Sequence, residues 1–479
     1  MSASLCGWSY DFEKDGIYYN ILSEQDKTVE VTFANEYTDV RGQKRYDCTK
    51  KNDVIIPTEV NGYSVVSIGK HTFDDKDLTS IVIPNSIKFI DDYAFKESDI
   101  NDITMPNSIT SIGIGVFENC KITSITLSNN LTEINDYAFY KCTKLQTISL
   151  PQNLKSIGDH SFEGCCFNTI VFPESLTHIG ENAFYDCNAL SSININQNIT
   201  SIEDKAFANC SNITTITVDE NNKVYDARNN CNCVIETATN TIVHGCKNSI
   251  IPDDVVSIGD CAFYHCQDLE SITIPNGITN IGRAAFYSCE KLTSIRMPEG
   301  VISIGDYAFS RCEVLSTISI PNSVSIIGCN AFSYTKIRGI SIPKNVTRIE
   351  GQTFGNCTLL SSLTIPSNVT YLDANAFFGC KSLTNIYNYS ETPQRIFSNT
   401  FATYGTLHVP NGQKEAYMKA EYWKNFNIID DIRTYNAIDT ITNVEDKDSS
   451  IYTLDGRLVN DVPKAGIYIK DGKKRIVRF

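Results

Sequence analysis

The chain is short of positive charge and contains no long apolar segment. Its 479 residues include 41 Lys and Arg against 56 Asp and Glu, a net charge of −15. Nucleic acids and anionic membrane surfaces attract clustered cations, so this balance argues against both partners. No apolar run approaches the roughly 18 residues of a membrane span, and residues 1–6 lack the cationic and apolar regions of a signal peptide. Either the chain is cytosolic, or a signal was removed or missed upstream.

The sequence also lacks the convergent polar groups of an enzyme. Its six histidines are scattered, without helical metal spacing, and neither a nucleophile elbow nor a glycine-rich phosphate loop is present. His265 stands beside Cys266 and invites a catalytic interpretation, but Cys266 belongs to a repeated series of cysteines. We therefore expect no catalytic residue, no metal, no cofactor and no enzymatic activity.

What the sequence contains instead is a repeat. In the copy Leu269–Cys289, a segment of alternating residues ends at Pro275, and this period of two predicts a strand with Ser271 and Thr273 outward. The proline ends the strand, since it lacks an N–H and has a fixed φ. A second apolar pair and a glycine follow, and the glycine suits a turn with positive φ. This glycine recurs at Gly69, Gly113, Gly158, Gly180, Gly259, Gly282, Gly305 and Gly328.

A phenylalanine closes each copy and gives the period. It occurs fourteen times at steps of 22 to 24 residues, apart from one step of 56. A fixed period in this range is typical of a solenoid, in which each unit buries its apolar face against its neighbours. We therefore predict an α/β or mainly β solenoid of about 14 coils. The closing residues are Phe73, Phe95, Phe117, Phe139, Phe162, Phe184, Phe207, Phe263, Phe286, Phe309, Phe332, Phe354, Phe377 and Phe401.

A cysteine stands three residues after the phenylalanine in ten of the fourteen copies. Stacked coils would align these thiols as a ladder at about 5 Å, the spacing of neighbouring strands. Free cysteine packs as a small hydrophobe, so we expect an inert ladder, with disulfides between neighbouring coils as the alternative. The ladder consists of Cys120, Cys142, Cys165, Cys187, Cys210, Cys266, Cys289, Cys312, Cys357 and Cys380.

The repeated pattern resembles the leucine-rich repeat of the BspA type. Its positions read Ile-x-Ile-Pro-x-x-Val/Ile-Thr-x-Ile-Gly-x-x-Ala-Phe-x-x-Cys-x-x-Leu over about 340 residues. That family occurs in surface proteins of anaerobic gut and oral bacteria and of some parasitic protists, and is associated with adhesion. The resemblance implies a non-catalytic, extracellular or cell-surface scaffold that adheres to host or microbial proteins. A glycan-binding accessory protein and an intracellular protein-interaction scaffold are the alternatives.

The same resemblance implies the kind of partner. We expect a protein, such as a host extracellular-matrix or other surface protein, or a glycan, and we expect the chain to be a monomer. No nucleic-acid partner and no membrane span are expected. The C-terminal segment also resembles the tail of many secreted or surface-displayed Bacteroidetes proteins. The predicted organisation is an N-terminal β cap (1–53), a leucine-rich repeat solenoid (54–410), a C-terminal cap helix (411–432), a linker (433–450) and a small β tail (451–479).

The 56-residue step contains an insertion at about 219–247 that predicts a β-hairpin. If Glu236 pairs with Thr241, Cys231 falls opposite Cys246 at a separation suited to a disulfide. Three interpretations remain open at this point: cysteines that simply pack, a disulfide between Cys231 and Cys246, and a zinc site. The zinc ligands would be Cys231, Cys233, His244 and Cys246.

The outward strand positions form the candidate binding face. Ser or Thr occupies 18 of the 24 such positions in the twelve clearest strands. They are either β-favouring residues that face water or an extended surface for protein or glycan contact. Asp102, Asn194 and Arg296 interrupt the hydroxyl pattern and are candidate specificity points. The other candidate contacts are Ser271, Thr273, Ser294, Thr317 and Ser319.

Overall fold

The repeats form a β-solenoid of about 17 turns with almost no helix. The computed structural model describes residues 10–39, 41–49 and 51–432, together with four short strands in 451–477. The predicted solenoid is confirmed, whereas the count of about 14 coils is slightly low. Counting the closing phenylalanine of the repeat misses turns that lack it, such as the turn through Thr215–Val218 and the irregular turns that follow Phe401.

An antiparallel β unit covers the first turn. Strands Phe12–Lys14 and Ile17–Ser23 join through Asp15 and Gly16, whose φ values of 52° and 74° suit a two-residue hairpin turn. Strand Thr28–Thr32 pairs antiparallel with Ile17–Ser23 and parallel with Tyr63–Ile68. The first turn therefore has no open edge on this side, where unpaired backbone groups would favour aggregation. The remaining short strands here are Asn35–Thr38, Lys44–Asp47 and Glu59–Val60.

Each regular turn begins with a first strand at the predicted alternating segment. Neighbouring first strands are parallel and in register, as where Ile103 pairs with Ile125. In the copy Leu269–Cys289 this ladder is reduced to one bridge, Thr273 with Arg296. The first strands are Asp53–Ile55, Ser80–Val82, Asp102–Thr104, Ser124–Thr126, Thr147–Ile148, Ser192–Ile195, Thr215–Val218, Ser294–Arg296, Thr317–Ser319, Gly339–Ser341, Ser362–Ile365, Asn385–Asn388, Thr406–Pro410 and Asn427–Ile432.

A second parallel ladder lies at the residue pair before the glycine, where the sequence analysis did not place a strand. Its two-residue strands turn the isoleucine inward and the preceding residue outward, as for Ile304 and Ser303. The second strands are Tyr63–Ile68, Phe89–Ile90, Ser111–Ile112, Glu133–Ile134, Ser156–Ile157, His178–Ile179, Ser201–Ile202, Thr241–Gly245, Ser257–Ile258, Asn280–Ile281, Ser303–Ile304, Ile326–Ile327, Arg348–Ile349 and Tyr371–Leu372. Tyr225–Asp226 pairs antiparallel with Cys233–Glu236 instead.

The phenylalanine turn, defined as the closing phenylalanine with two residues on each side, makes a third contact between coils. Neighbouring rings lie 5.0–5.5 Å apart, centroid to centroid, in a stacked column. The N–H groups of alternate turn residues donate to the next coil. For Phe286 these bonds are Ala284 to Asp306, Phe286 to Ala308 and Ser288 to Ser310, at 2.8, 2.8 and 2.9 Å.

The prediction that the repeated glycine adopts positive φ is wrong. The left-handed residues are instead those two before and two after the phenylalanine, such as Tyr137 and Lys141 with φ of 56° and 55°. The glycine is needed because the coils approach closely at this point. A Cβ on Gly158 would lie 2.4 Å from a carboxylate oxygen of Asp136, which accepts a 2.8 Å hydrogen bond from the N–H of Asp159. The same arrangement recurs at Gly180, Gly282 and Gly328.

The inserted hairpin interrupts the ladder of phenylalanine turns. Strands Cys233–Glu236 and Thr241–Gly245 pair antiparallel, with Glu236 opposite Thr241 as the sequence analysis assumed. The turn of Phe184 donates three N–H bonds to the next coil, but within the described residues the N–H groups of Lys205, Phe207 and Asn209 donate none. The buried apolar residues also fall into two clusters that meet at the hairpin. A 3₁₀ turn, Arg228–Asn230, precedes the hairpin.

The predicted cap helix of residues 411–432 is mostly not helical. It consists of the six-residue helix Lys414–Lys419, the 3₁₀ turn Trp423–Asn425 and the strand Asn427–Ile432. Trp423 is fully buried, and its Nε1 donates to the Gln394 carbonyl at 2.7 Å. Residues 433–479 form a separate unit, in which strands Ile451–Thr453, Leu458–Val459, Gly466–Lys470 and Lys473–Val477 make one antiparallel sheet.

We predict that the phenylalanine column carries much of the stability of the array. Replacing Phe286 by Ala should destabilise the fold by about 3–5 kcal/mol, because the fully buried ring leaves a cavity between its stacked neighbours. Exposed Thr317→Ala serves as the control and should change the free energy of unfolding by less than about 0.5 kcal/mol. Urea unfolding followed by circular dichroism measures both. Equal losses would contradict the inward and outward assignment.

We also predict that the interrupted ladder is visible in amide hydrogen exchange. The Phe207 N–H has no partner among the described residues, whereas the N–H groups of Phe184 and Phe286 bond to the next coil at 2.7 and 2.8 Å. The Phe207 amide should exchange at least about tenfold faster than the other two. Native-state exchange read by NMR or by mass spectrometry of short fragments measures this. Equal protection at the three phenylalanines would show that the ladder continues through the hairpin.

Candidate functional site

Six of the predicted contact residues lie together on the first-strand side of the solenoid. Ser294 pairs with Thr317 and Arg296 with Ser319, while Thr273 bridges to Arg296 on the other side. All of them are exposed, as is Ser271, whereas the isoleucines between them point inward. Three consecutive coils therefore present one continuous surface. We call it the hydroxyl patch: Ser271, Thr273, Ser294, Arg296, Thr317 and Ser319.

The polar groups of the hydroxyl patch are not used within the protein. None of its six side chains makes a hydrogen bond or an ion pair with another described residue. Hydroxyls elsewhere on the solenoid often do, as where Ser175 donates to the Leu154 carbonyl at 2.6 Å. The patch thus offers uncommitted donors and acceptors, including the five N–H groups of Arg296, on a backbone fixed by parallel pairing.

The structure does not bring Asp102 and Asn194 to this patch. Asp102 lies near the N-terminal end of the array, where its carboxylate accepts hydrogen bonds from the hydroxyls of Thr123 and Ser124. Asn194 pairs in register with Thr217 and is separated from the patch by the inserted hairpin. Asp102 is therefore engaged by its own neighbours, and Asn194 belongs to a different part of the face.

A charged rim borders the patch beside Ser271. It surrounds a shallow open cleft lined by Lys247, Asp268, Glu270 and Lys291. The Lys291 ammonium lies 2.7 Å from the Asp268 carboxylate and lowers the pKa of that group, and Lys247 lies 3.6 Å from it. Because these charges largely balance one another, the rim adds no strong electrostatic field to the patch.

The disulfide between Cys231 and Cys246 is not formed, and both thiols are free. Although Glu236 pairs with Thr241, a bulge between Val234 and Ile235 shifts the register. The Cys231 sulfur lies 3.6 Å from the Cys233 carbonyl, and the Cys246 sulfur 3.7 Å from the carbonyl of Asn232. All three cysteines of the hairpin are buried, as expected for thiols that pack.

The zinc alternative needs four ligands at one point, and the structure does not supply them. Among the described residues, no three His, Cys, Asp or Glu side chains are grouped so that they could hold a metal ion. His244 packs instead against the ring of Phe207, with centroids 5.5 Å apart. Burial lowers the pKa of His244 to about 4, so the imidazole is neutral at physiological pH.

The ladder cysteines have a role that the sequence analysis missed. In nine of the ten, the thiol points at the carbonyl oxygen of the phenylalanine in the preceding coil, at 2.7–3.3 Å. Such a carbonyl also accepts a backbone N–H from its own coil, as Phe117 does from Cys120. The weak S–H donor thus satisfies the second lone pair of a buried carbonyl. Thr335 and Ser98 occupy the same position in two of the coils without cysteine.

Cys266 is the exception in the ladder, because the inserted hairpin replaces the phenylalanine that would precede it. Burial raises the pKa of its thiol to about 12 and lowers the pKa of His265. A catalytic Cys–His pair needs the opposite shifts, a thiolate next to an imidazolium. The two residues are therefore neutral neighbours and not an activated nucleophile.

The sequence analysis did not identify two clusters of aromatic and charged side chains on the outer surface. On the second-strand side, the Arg348 guanidinium lies 4.3 Å from the centre of the Tyr371 ring. On the first-strand side, Tyr387 stacks on His408 at 4.4 Å, and His408 lies 2.9 Å from the Asp431 carboxylate. Comparing residues at one repeat position in successive copies could have found both groups, since stacking coils aligns such residues.

A family model for the BspA-type leucine-rich repeat region matches the chain at residues 66–188, 132–245, 243–360 and 325–446. These matches span the solenoid and include the hydroxyl patch. No curated protein sequence matches the chain. No helix in the described part of the chain has the length and apolar character needed to cross a membrane.

Similar solved structures include bacterial leucine-rich repeat proteins. A leucine-rich cell surface protein from Faecalibacterium prausnitzii is 27% identical, with a TM-score of 0.61 over 82% of this chain and 98% of that one. The pneumococcal vaccine antigen PcpA is 17% identical, with a TM-score of 0.51 over 90% and 99% of the two chains. A leucine-rich repeat protein from Bacteroides ovatus is 27% identical, with a TM-score of 0.47 over 84% and 100%.

We predict that the ladder thiols resist modification in the native protein. Burial raises the pKa of Cys142 and Cys312 to about 12, so little thiolate forms at neutral pH. Iodoacetamide should spare both, while modifying exposed Cys166 next to buried Cys165. Mass spectrometry of digested protein, labelled before or after unfolding, measures each site. Native labelling of Cys165 at the rate of Cys166, or a disulfide within the ladder, would contradict the prediction.

Proposed function

This chain belongs to the BspA-type leucine-rich repeat family, and from that membership we propose that it is an extracellular or cell-surface adhesion scaffold. The family is one of protein-binding scaffolds that are typically surface-exposed or secreted and non-enzymatic. The similar protein from Faecalibacterium prausnitzii is described as a cell surface protein, which supports this location. The adhesion target is a host or microbial surface protein.

The hydroxyl patch is the proposed contact surface. The observation that carries this assignment is that its six exposed side chains make no internal hydrogen bond or ion pair, although they lie on three rigidly paired coils. A protein surface rich in carbonyl and hydroxyl groups can satisfy all of them at once. Their fixed backbone means that little conformational entropy is lost when the partner docks.

Arg296 is the proposed anchor of the patch. It offers five donors from the middle of an otherwise hydroxyl-bearing surface, and arginine is among the residues that most often dominate interface energies. Each serine or threonine contributes a modest contact, so loss of one hydroxyl is tolerated. The extended surface also explains why no enclosed pocket is needed on this face.

We predict that Arg296→Glu weakens adhesion at least about fivefold, whereas Thr317→Ala alone changes it less than about twofold. Purified wild-type protein and variants would be measured for binding to immobilised extracellular-matrix proteins and mucins, and to a glycan array. Lys155→Glu is the matched control, since it makes the same charge change at an exposed position away from the patch. Unchanged binding by Arg296→Glu would exclude the patch, and binding to the glycan array alone would favour a glycan-binding role.

The location has a separate test. An antibody against the folded protein should label intact cells of the source organism or detect the protein in the culture medium. Detection only after lysis would favour the intracellular scaffold instead.

A further inference from the structure

A column of large side chains occupies the C-terminal part of the second-strand side. The outward residue of each second strand lies six residues before the phenylalanine, so stacking the coils places these residues side by side. Ser303 pairs with Ile326, Arg348 with Tyr371, and Tyr371 bridges to Arg395. We call the surface formed by Ile302, Ile326, Arg348, Tyr371, Arg395 and Phe397 the arginine–aromatic patch.

The arginines of this patch are held by aromatic rings. The Arg348 guanidinium carbon lies 4.3 Å from the centre of the Tyr371 ring, and that of Arg395 lies 5.0 Å from the centre of the Phe397 ring. The Tyr371 and Phe397 rings meet edge to face at 6.0 Å. Cation–π stacking of this kind restricts the long arginine side chains before any partner arrives, so less entropy is lost on binding.

The charge of the patch is only partly balanced within the protein. Arg348 uses its Nε atom for a 3.1 Å contact with Glu350, and its two terminal nitrogens have no ion-pair or hydrogen-bond partner among the described residues. Arg395 is exposed and forms no ion pair with any described residue. Two guanidinium groups, two coils apart at the same repeat position, therefore present free donors on a chain whose net charge is −15.

Exposed aliphatic side chains lie at or next to the same repeat position in the two coils that precede Arg348. Ile326 and Ile302 are 60% and 49% exposed, and the N–H of Ile326 lies 3.4 Å from the Ile302 carbonyl. Isoleucine, tyrosine, phenylalanine and arginine side by side match the composition of protein interface cores, where aromatic residues and arginine are enriched. The same repeat position is mostly small or polar in the N-terminal half: Phe89, Ser111, Glu133, Ser156, His178 and Ser201.

We propose that the arginine–aromatic patch is a second binding surface, which takes an acidic and apolar segment of a partner protein. Arg348 and Arg395 lie two coils apart, about 10 Å at the usual strand spacing, and bind two carboxylates at that separation. Apolar side chains of the same segment pack on Ile302 and Ile326. A polyanionic glycan would satisfy the arginines but would leave the isoleucines uncovered, so a protein segment fits better. This proposal rests on the proposed role of the chain as a binding scaffold. It does not depend on the hydroxyl patch, which lies on the ladder of first strands.

The test uses the full chain and a pair of fluorescent peptides. One peptide alternates Glu and Leu over ten residues, and the other replaces each Glu by Gln. Fluorescence anisotropy at physiological ionic strength should show the acidic peptide binding wild type at least about tenfold more tightly than its amide counterpart. The double variant Arg348→Gln, Arg395→Gln should lose that preference, and Ile326→Ser should weaken both peptides.

Lys155→Gln is the control and should leave the peptide affinity unchanged, because it removes one positive charge at an exposed position outside both patches. Thermal unfolding monitored by circular dichroism checks that each variant is folded. Equal affinity for the two peptides, no binding of either one, or an unchanged preference in the double variant would overturn the proposal. Binding of heparin in place of the acidic peptide, lost in the same double variant, would overturn it in favour of an anionic glycan. Adhesion of the Arg296→Glu variant is measured in a separate assay. A failure of the hydroxyl-patch proposal can therefore be distinguished from a failure of the arginine–aromatic-patch proposal.

Discussion

The structure depends on one contact repeated in most coils: the phenylalanine turn, whose ring stacks on its neighbours and whose N–H groups donate to the next coil. Short first and second strands of two to six residues could not hold a solenoid together alone, since each contributes few hydrogen bonds. The ring column supplies the continuous apolar core, and left-handed residues on both sides of the ring direct the backbone donors along the axis. The cysteine three residues later completes the arrangement by donating to the carbonyl behind it. Where this contact is interrupted, at Phe207, the core also divides.

Much of the fold could be predicted from the sequence because the same residue pattern recurs at a nearly constant spacing. The alternating segment around Ile272 identifies the inward and outward residues. Other features depend on contacts between coils, which one copy cannot show. The glycine is needed because the Asp136 side chain of one coil lies against the backbone of the next coil at Gly158 and leaves no room for a Cβ atom. The φ angle of the glycine is not the reason. A two-residue strand such as Ser303–Ile304 is too short to produce a pattern, and the bulge at Val234 moved the hairpin cysteines off their counted register.

The candidate site was predictable only in part, for a related reason. Alternation places Ser271, Thr273 and Arg296 outward, and stacking then brings neighbouring copies together. The sequence alone cannot say which hydroxyls are engaged internally. Asp102 seemed as exceptional as Arg296, yet it accepts hydrogen bonds from Ser124 and Thr123, while Arg296 is free. The arginine–aromatic patch was missed because its residues lie on strands that the pattern did not reveal.

A solenoid of this kind separates stability from recognition more completely than a globular domain does. Its core positions are nearly identical from coil to coil, so an outward residue can change without disturbing the phenylalanine column. The outward positions of both ladders are mostly small or polar, and large or charged side chains stand out against that background. Arg296 on one ladder and Arg348, Tyr371 and Arg395 on the other are such departures, and all lie in the C-terminal half. Because the two proposed surfaces lie on different ladders, we infer that binding at one leaves the other open, and a partner assembly linked to both would be held more tightly than by either contact alone.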